Sequence, residues 1–196
     1  IEKSLPPYTL EFFDATELSD GSIVAVGYAS LVQTGPDILD HLVLLKTNAG
    51  LGEVAFVHYP LLGKHVRGKS LTTGQDGVLL VFGDIEGVSV NFWDMFFLRV
   101  NPFTLQPAAP PAIYDFGVDN AVEIDLAENN TYLLSGSSLI GNIFVPENLI
   151  NNRLVTIKIN DQGVVIWQYY YENIYKGKYG FCRSGGSVKY PSGNIM

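Results

Sequence analysis

The feature that most limits how this chain can fold is an internal repeat. A turn, an apolar run and a closing glycine recur as Asp20-Gly21-Ser22-Ile23-Val24-Ala25-Val26-Gly27, Asp76-Gly77-Val78-Leu79-Leu80-Val81-Phe82-Gly83 and Asn129-Asn130-Thr131-Tyr132-Leu133-Leu134-Ser135-Gly136. The glycines are 56 and then 53 residues apart. After each comes a loop and a second apolar run ending on a base, at 40–46, 94–99 and 152–158. A third run follows a further turn, at 53–59 and 164–171, and in the second repeat residues 101–107 take that place. A fourth run precedes each first turn, at 8–13, 68–73 and 121–126. Four short strands in every ~55 residues make one blade of a β-propeller.

The runs are rich in β-branched and aromatic residues and are fenced by Asp-Gly, Asn-Asn and Asn-Asp, which favours strands joined by tight turns. Stretches such as Ile23 to Val26 are apolar without alternation, so both faces are expected to be buried, as they are when blades pack face to face. Gly27, Gly83 and Gly136 mark places where the backbone takes a positive φ or meets a neighbour closely, and alanine there should destabilise. The expected fold is all-β: a single partial β-propeller domain over residues 1–196, about three and a half four-stranded blades of a larger ring. The blade-like repeats lie at about 8–60, 68–115 and 120–172, with a truncated fourth at 181–196. Propellers typically need ~4 to 8 blades to close, so the rest of the ring is expected from missing sequence or from a second chain. Ile1 and Met196 read as cuts rather than natural termini.

Composition narrows the partners. The net charge is −8, and the twelve Lys and Arg are scattered singly, so no basic stripe is present for nucleic acid or an anionic membrane surface. Cys182 is the single cysteine, which excludes an internal disulfide framework and a Cys-rich zinc site and suits an ordinary packed thiol. No stretch approaches the ~18 to 20 apolar residues of a membrane helix.

The phrases Asp20 to Tyr28, Leu44-Leu45-Lys46-Thr47-Asn48-Ala49-Gly50 and Gly163-Val164-Val165-Ile166-Trp167 resemble the repeats of exported Bacteroidota propellers, with a kelch-like and quinoprotein-like outline. Pro102 and Pro107 depart from that pattern, which prefers Asp-Gly and Trp there. The resemblance implies an extracellular or bacterial cell-surface location, as a lipoprotein or part of an outer-membrane assembly. It implies no particular activity, because fold does not fix function.

Chemistry-bearing patterns are sparse. His41, His58 and His65 match no metal spacing and read as ordinary strand or surface histidines. Asp115-Phe116-Gly117 spells a kinase signature without the motifs that go with it and reads as a turn, and Gly136 to Gly141 lacks nucleophile-elbow spacing. Asp37 with Asp40, and Asp115 with Asp119, are close enough in sequence for paired acids, but neither pair has the register of a calcium loop. No catalytic residue, cofactor or metal is therefore assigned. The ligand-binding candidates are Trp167, Tyr169 and Tyr171, which alternate onto one strand face. They either stack on a sugar or protein partner or fill the taper between blades. The apolar segment 136–152 either tucks onto its own blade or docks on another protein.

The leading expectation is a non-enzymatic binding or scaffold propeller that contacts a protein partner or polysaccharide through rim loops. The alternative is a propeller glycoside hydrolase or lyase with acidic residues lining the central channel. Carboxylates converging on the inner strands favour the second, and their confinement to the outer rim opposes it.

Overall fold

The computed structural model describes residues 9–32, 38–59, 61–87, 93–140 and 151–172. The truncated fourth repeat, Cys182 and most of the apolar segment after Gly136 lie outside them.

Each repeat folds into a four-stranded antiparallel meander. The first blade holds β1 (Thr9–Glu17), β2 (Ile23–Val32), β3 (Ile38–Thr47) and β4 (Glu53–Tyr59); the second holds β5 (Val66–Thr73), β6 (Leu79–Glu86), β7 (Trp93–Val100) and β8 (Ala112–Tyr114); the third holds β9 (Val118–Leu126), β10 (Thr131–Ile140), β11 (Asn151–Asn160) and β12 (Val165–Glu172). Within every sheet the strands lie side by side in chain order. The first strands approach one another from blade to blade, β1 against β5 and β5 against β9, so they are the inner strands and β4, β8 and β12 the outer ones. This is the arrangement of adjacent propeller blades.

The unbroken apolar runs follow from having a blade on each side. On β6, Leu79, Val81 and Ile85 join Val24, Val26, Leu42 and Leu44 of the first blade in one core. The intervening Leu80 and Phe82 join Ile124, Tyr132, Leu134, Val155 and Ile157 of the third blade in another. A strand that fills two cores has no polar face to show. At about 1.5–3 kcal/mol for each fully buried Leu, Ile or Phe, these junctions are the main attraction between sheets.

The closing glycines do their work by close approach. Gly27, Gly83 and Gly136 are not among the residues of positive φ, so that part of the expectation is corrected. Each lies beside a bulge in the inner strand, between Phe12 and Asp14, Gly68 and Ser70, and Ala121 and Glu123. A Cβ on Gly27 would stand 1.7 Å from the Glu11 carbonyl oxygen, on Gly83 2.1 Å from that of Arg67, and on Gly136 2.5 Å from that of Asn120. The residue after the bulge then reaches the next blade in the first two cases. Asp14 Oδ2 accepts from Leu71 N at 3.0 Å, and the equivalent Ser70 Oγ accepts from Ile124 N at 3.4 Å.

The bases that end the third strands tie the far ends together. Lys46 donates to the Pro102 carbonyl of the next blade at 3.1 Å, and Arg99 donates likewise to the Asp161 carbonyl at 2.9 Å. Within its own blade each faces an acid in the first turn: Lys46 faces Asp20, Arg99 faces Asp76 and Lys158 faces Glu128. Two residues on, an asparagine closes the second turn, with Asn48, Asn101 and Asn160 each accepting two backbone N–H bonds through Oδ1. Arg99→Met is expected to cost about 1–2 kcal/mol, since it strands a charge-assisted donor's partners at a junction. Urea midpoints of the two proteins at equal slope measure this.

The second outer strand departs from expectation. Residues 101–107 form a turn with a single bridge from Val100 to Pro107, and pairing resumes only at Ala112–Tyr114. Proline cannot donate to a ladder, and Pro102, Pro107, Pro110 and Pro111 punctuate this stretch.

Candidate functional site

The two ends of the blades differ in chemistry. One end carries the short turns just described. At the other, the inner strands begin and each blade passes to the next, and here the described residues gather Asp40, His41, His58, His65, Arg67, Asp84, Asp94, Asp115, Asp119 and Arg153.

Arg67, at the start of β5, organises the first junction. Its Nε donates to Asp40 Oδ2 at 2.6 Å, while the guanidinium lies 5.0 Å from the centre of the Tyr28 ring and 4.7 Å from that of Trp93. Aromatic faces on a planar cation hold it without adding competing acceptors. Asp40 is only 4% exposed. It also accepts from Ser30 Oγ at 2.6 Å, and its backbone N–H donates to His65 Nδ1 at 3.1 Å. Burial alone would raise the Asp40 carboxyl, but the Ser30 hydroxyl and the Arg67 guanidinium outweigh it and hold the group below the ordinary range.

Asp84 sits directly across the β5–β6 ladder from Arg67, at 5% exposure. Its Oδ1 accepts from the Ala121 backbone N–H, and Lys69 Nζ lies 3.9 Å from Oδ2. Burial dominates over these partners and pushes its pKa up to about 7. The carboxylate paired with Arg67 and the one across the ladder from it are thus driven in opposite directions, Asp40 downward and Asp84 upward.

The second junction holds Asp94 on β7, Asp115 just after β8 and Asp119 at the start of β9, with ligand oxygens that lie within 4.8 Å of one another. Phe116 N donates to Asp119 Oδ2 at 2.8 Å and Gly117 N to Asp115 Oδ1 at 3.2 Å, so Asp115-Phe116-Gly117 is the turn that enters β9. Ser138 Oγ and Arg153 Nη2 both donate to the Phe116 carbonyl, at 2.9 and 3.1 Å. Arg153 stacks 3.7 Å from the centre of the Tyr170 ring. Burial raises the Asp94 carboxyl, with the Asp115 charge adding to it; burial, with the neighbouring acids, pushes Asp119 up to about 6.

The histidines are more closely grouped than their spacing suggests. His41 Nδ1 lies 3.4 Å from His58 Nδ1, and His41 is 3% exposed with Nε2 unpaired. Burial, followed by the neighbouring His58, lowers the His41 pKa, which keeps that ring neutral.

Trp167 and Tyr169 meet edge to face at 5.2 Å, and Tyr169 and Tyr171 are 60% and 57% exposed. Register explains their place. Trp167 pairs with Lys158 as Ala55 pairs with Lys46, and Tyr171 pairs with Leu154 as Tyr59 pairs with Leu42 and Tyr114 with Met95. Ala55, Val57 and Tyr59 pack on the core shared with the second blade, and Tyr114 on that shared with the third. The aromatic face is therefore the one that receives the following sheet in the first two blades. Tyr170, on the opposite face, packs against Phe116 at 5.9 Å.

The sequence patterns pointed to Trp167, Tyr169 and Tyr171 and passed over Arg67 and Asp84. Nothing in the repeat set these two apart, because the positions equivalent to Arg67 hold Glu11 and Asn120 and those equivalent to Asp84 hold Tyr28 and Ser137.

A likeness among solved structures agrees with the architecture. The chain superposes on an endo-arabinase from Bacteroides thetaiotaomicron with a TM-score of 0.51 at 12% identity, over 93% of this chain and 67% of that one. At that identity the likeness is one of fold. No family model matches the sequence, and no curated protein does.

Proposed function

We propose that the chain belongs to a polysaccharide-acting propeller of the glycoside hydrolase type, working outside the cell at the end where the inner strands begin. This replaces the non-enzymatic scaffold as the leading reading. The observation that carries it is the group of Asp40 on β3, Arg67 on β5 and Asp84 on β6, in which Arg67 pairs with Asp40 and lies across the ladder from Asp84, with one carboxyl shifted down and the other up to about 7. Glycosidic cleavage needs that combination: one acid protonates the leaving oxygen while one carboxylate activates or replaces the attacking water. Asp84 fills the first role and Asp40 the second. Half-buried Tyr28 and Trp93 lie beside Arg67 at the same junction. The endo-arabinase of similar fold makes arabinan the first polysaccharide to try.

A second reading, sugar binding without cleavage, is favoured by one observation: Asp40 and Asp84 are only 4% and 5% exposed. In that case Arg67 and the two rings alone meet the ligand. Release of reducing ends from arabinan and a panel of other polysaccharides separates the two. Cleavage predicts activity that falls as pH rises above ~7 and drops about 10²- to 10⁴-fold in Asp84→Asn and Asp40→Asn proteins that still melt cooperatively. Retention of sugar without release of ends, in wild type and variants alike, would leave only the binding role.

A further inference from the structure

The geometry points to a calcium site formed by Asp94, Asp115 and Asp119 at the junction of the second and third blades. Three carboxylates with ligand oxygens within 4.8 Å of one another match a shared calcium ion, whose oxygens lie about 2.3–2.6 Å from the metal and hence up to about 5 Å apart. All three donors are hard oxygens, which suits calcium over zinc or copper.

The cluster alone would be unremarkable; the state of its buried members is what implies a cation. Asp94 is 7% exposed, and the one positive charge acting on it, Lys64, lies beyond ion-pair distance. Asp119 is 4% exposed, and its Oδ1 has no hydrogen-bond partner although Oδ2 is held by Phe116 N. Buried carboxylate oxygens are normally satisfied by donors or by a metal. Two adjacent acids left this way, with a third beside them, carry negative charge that Lys64 offsets only from beyond ion-pair distance, its Nζ being committed to the Glu86 carbonyl. Arg153 does not fill the role, because its Nη2 is committed to the Phe116 carbonyl and its guanidinium to the Tyr170 ring.

The arrangement also explains how a site can form without a loop motif. Asp115 lies in the connection from β8 to β9 and Asp119 at the start of β9, while Asp94 arrives from β7 of the preceding blade. An ion there would link β7 to the start of β9, and binding would stabilise the junction through mass action.

The test uses the full chain stripped with a chelator and titrated with calcium chloride, followed by calorimetry and thermal melting. Saturable binding of one ion is expected, with a melting midpoint raised by about 5–10 °C at a hundredfold excess over Kd. Asp94→Asn should lose at least about tenfold in calcium affinity. In chelator it should melt at or above wild type, because one repelling charge is gone. Three results would overturn the assignment: no saturable calcium uptake by wild type, an equal response to magnesium, or an Asp94→Asn protein destabilised as much in chelator as in calcium.

Discussion

Gly27→Ala is expected to destabilise the protein by about 3 kcal/mol or more, enough to remove much of the stability of a domain of this size. The added methyl would be placed 1.7 Å from the Glu11 carbonyl oxygen and 2.8 Å from Phe12 Cα. Both are backbone atoms of the inner strand, so neither can swing aside as a side chain would. Relief requires β1 to move off β2, which breaks the ladder and the Asp14 bonds to the second blade. Gly83→Ala meets the same obstacle at 2.1 Å, whereas part of the crowding at Gly136 comes from the flexible Met95 side chain. The expected order of damage is therefore Gly27, then Gly83, then Gly136. Gly63→Ala is the control: it has open space around it but a φ of +67°, and it should cost only about 1–2 kcal/mol. Urea denaturation of the four variants measures the series. A Gly27→Ala protein no less stable than Gly63→Ala would contradict the close-approach account.

The second large effect is on pH. Asp84 keeps its proton to about pH 7 in the folded protein, whereas in the unfolded chain it loses it near about pH 4. Its contribution to stability is therefore full below about pH 4 and is lost as pH rises through about 7. Asp119, at about 6, has the same sign over a narrower window. Asp40 has the opposite sign: its lowered pKa stabilises above about pH 4, and that contribution is lost at lower pH. Wild type is accordingly expected to lose roughly 2–4 kcal/mol between pH 5 and pH 8. Asp84→Asn should remove most of that loss, because its amide oxygen can still accept from Ala121 N while no charge has to be buried. Denaturation midpoints at the two pH values test this, and an Asp84→Asn protein with the wild-type pH slope would exclude Asp84 as its source.

The blade pattern was legible because it is written in short-range signals. Asp20-Gly21 and Asp76-Gly77 set turns with a positive φ at the glycine, and Asn129 and Asn130 take left-handed backbone in the third repeat. Period, strand order and the apolar runs all follow from such local features. The second outer strand was misplaced because the run at 101–107 has apolar residues but too many prolines to pair. The glycines were identified correctly as sensitive points, but their reason lies in a bulge on another strand, which the residues around Gly27 cannot reveal.

The candidate site was harder to read because its residues come from different blades. Asp40 and Arg67 are brought together by inter-blade packing, as are Asp94 and Asp119. Asp115 and Asp119 were noticed as a pair, yet the acid that completes the group lies on β7. The histidines were set aside on spacing alone, although neighbouring strands place His41 beside His58. The aromatic alternation of Trp167, Tyr169 and Tyr171 was visible throughout, and only the register of the first two blades gave that face its orientation.

The central claim is that polysaccharide is handled where the inner strands begin. Amide hydrogen exchange on the Asp40→Asn protein, with and without arabino-oligosaccharides, tests it most directly. Protection is expected around Asp40, Arg67 and Asp84, where the first two blades meet. Protection confined to the opposite turns at 18–22, 48–52, 74–78 and 127–130, or none anywhere, would contradict it.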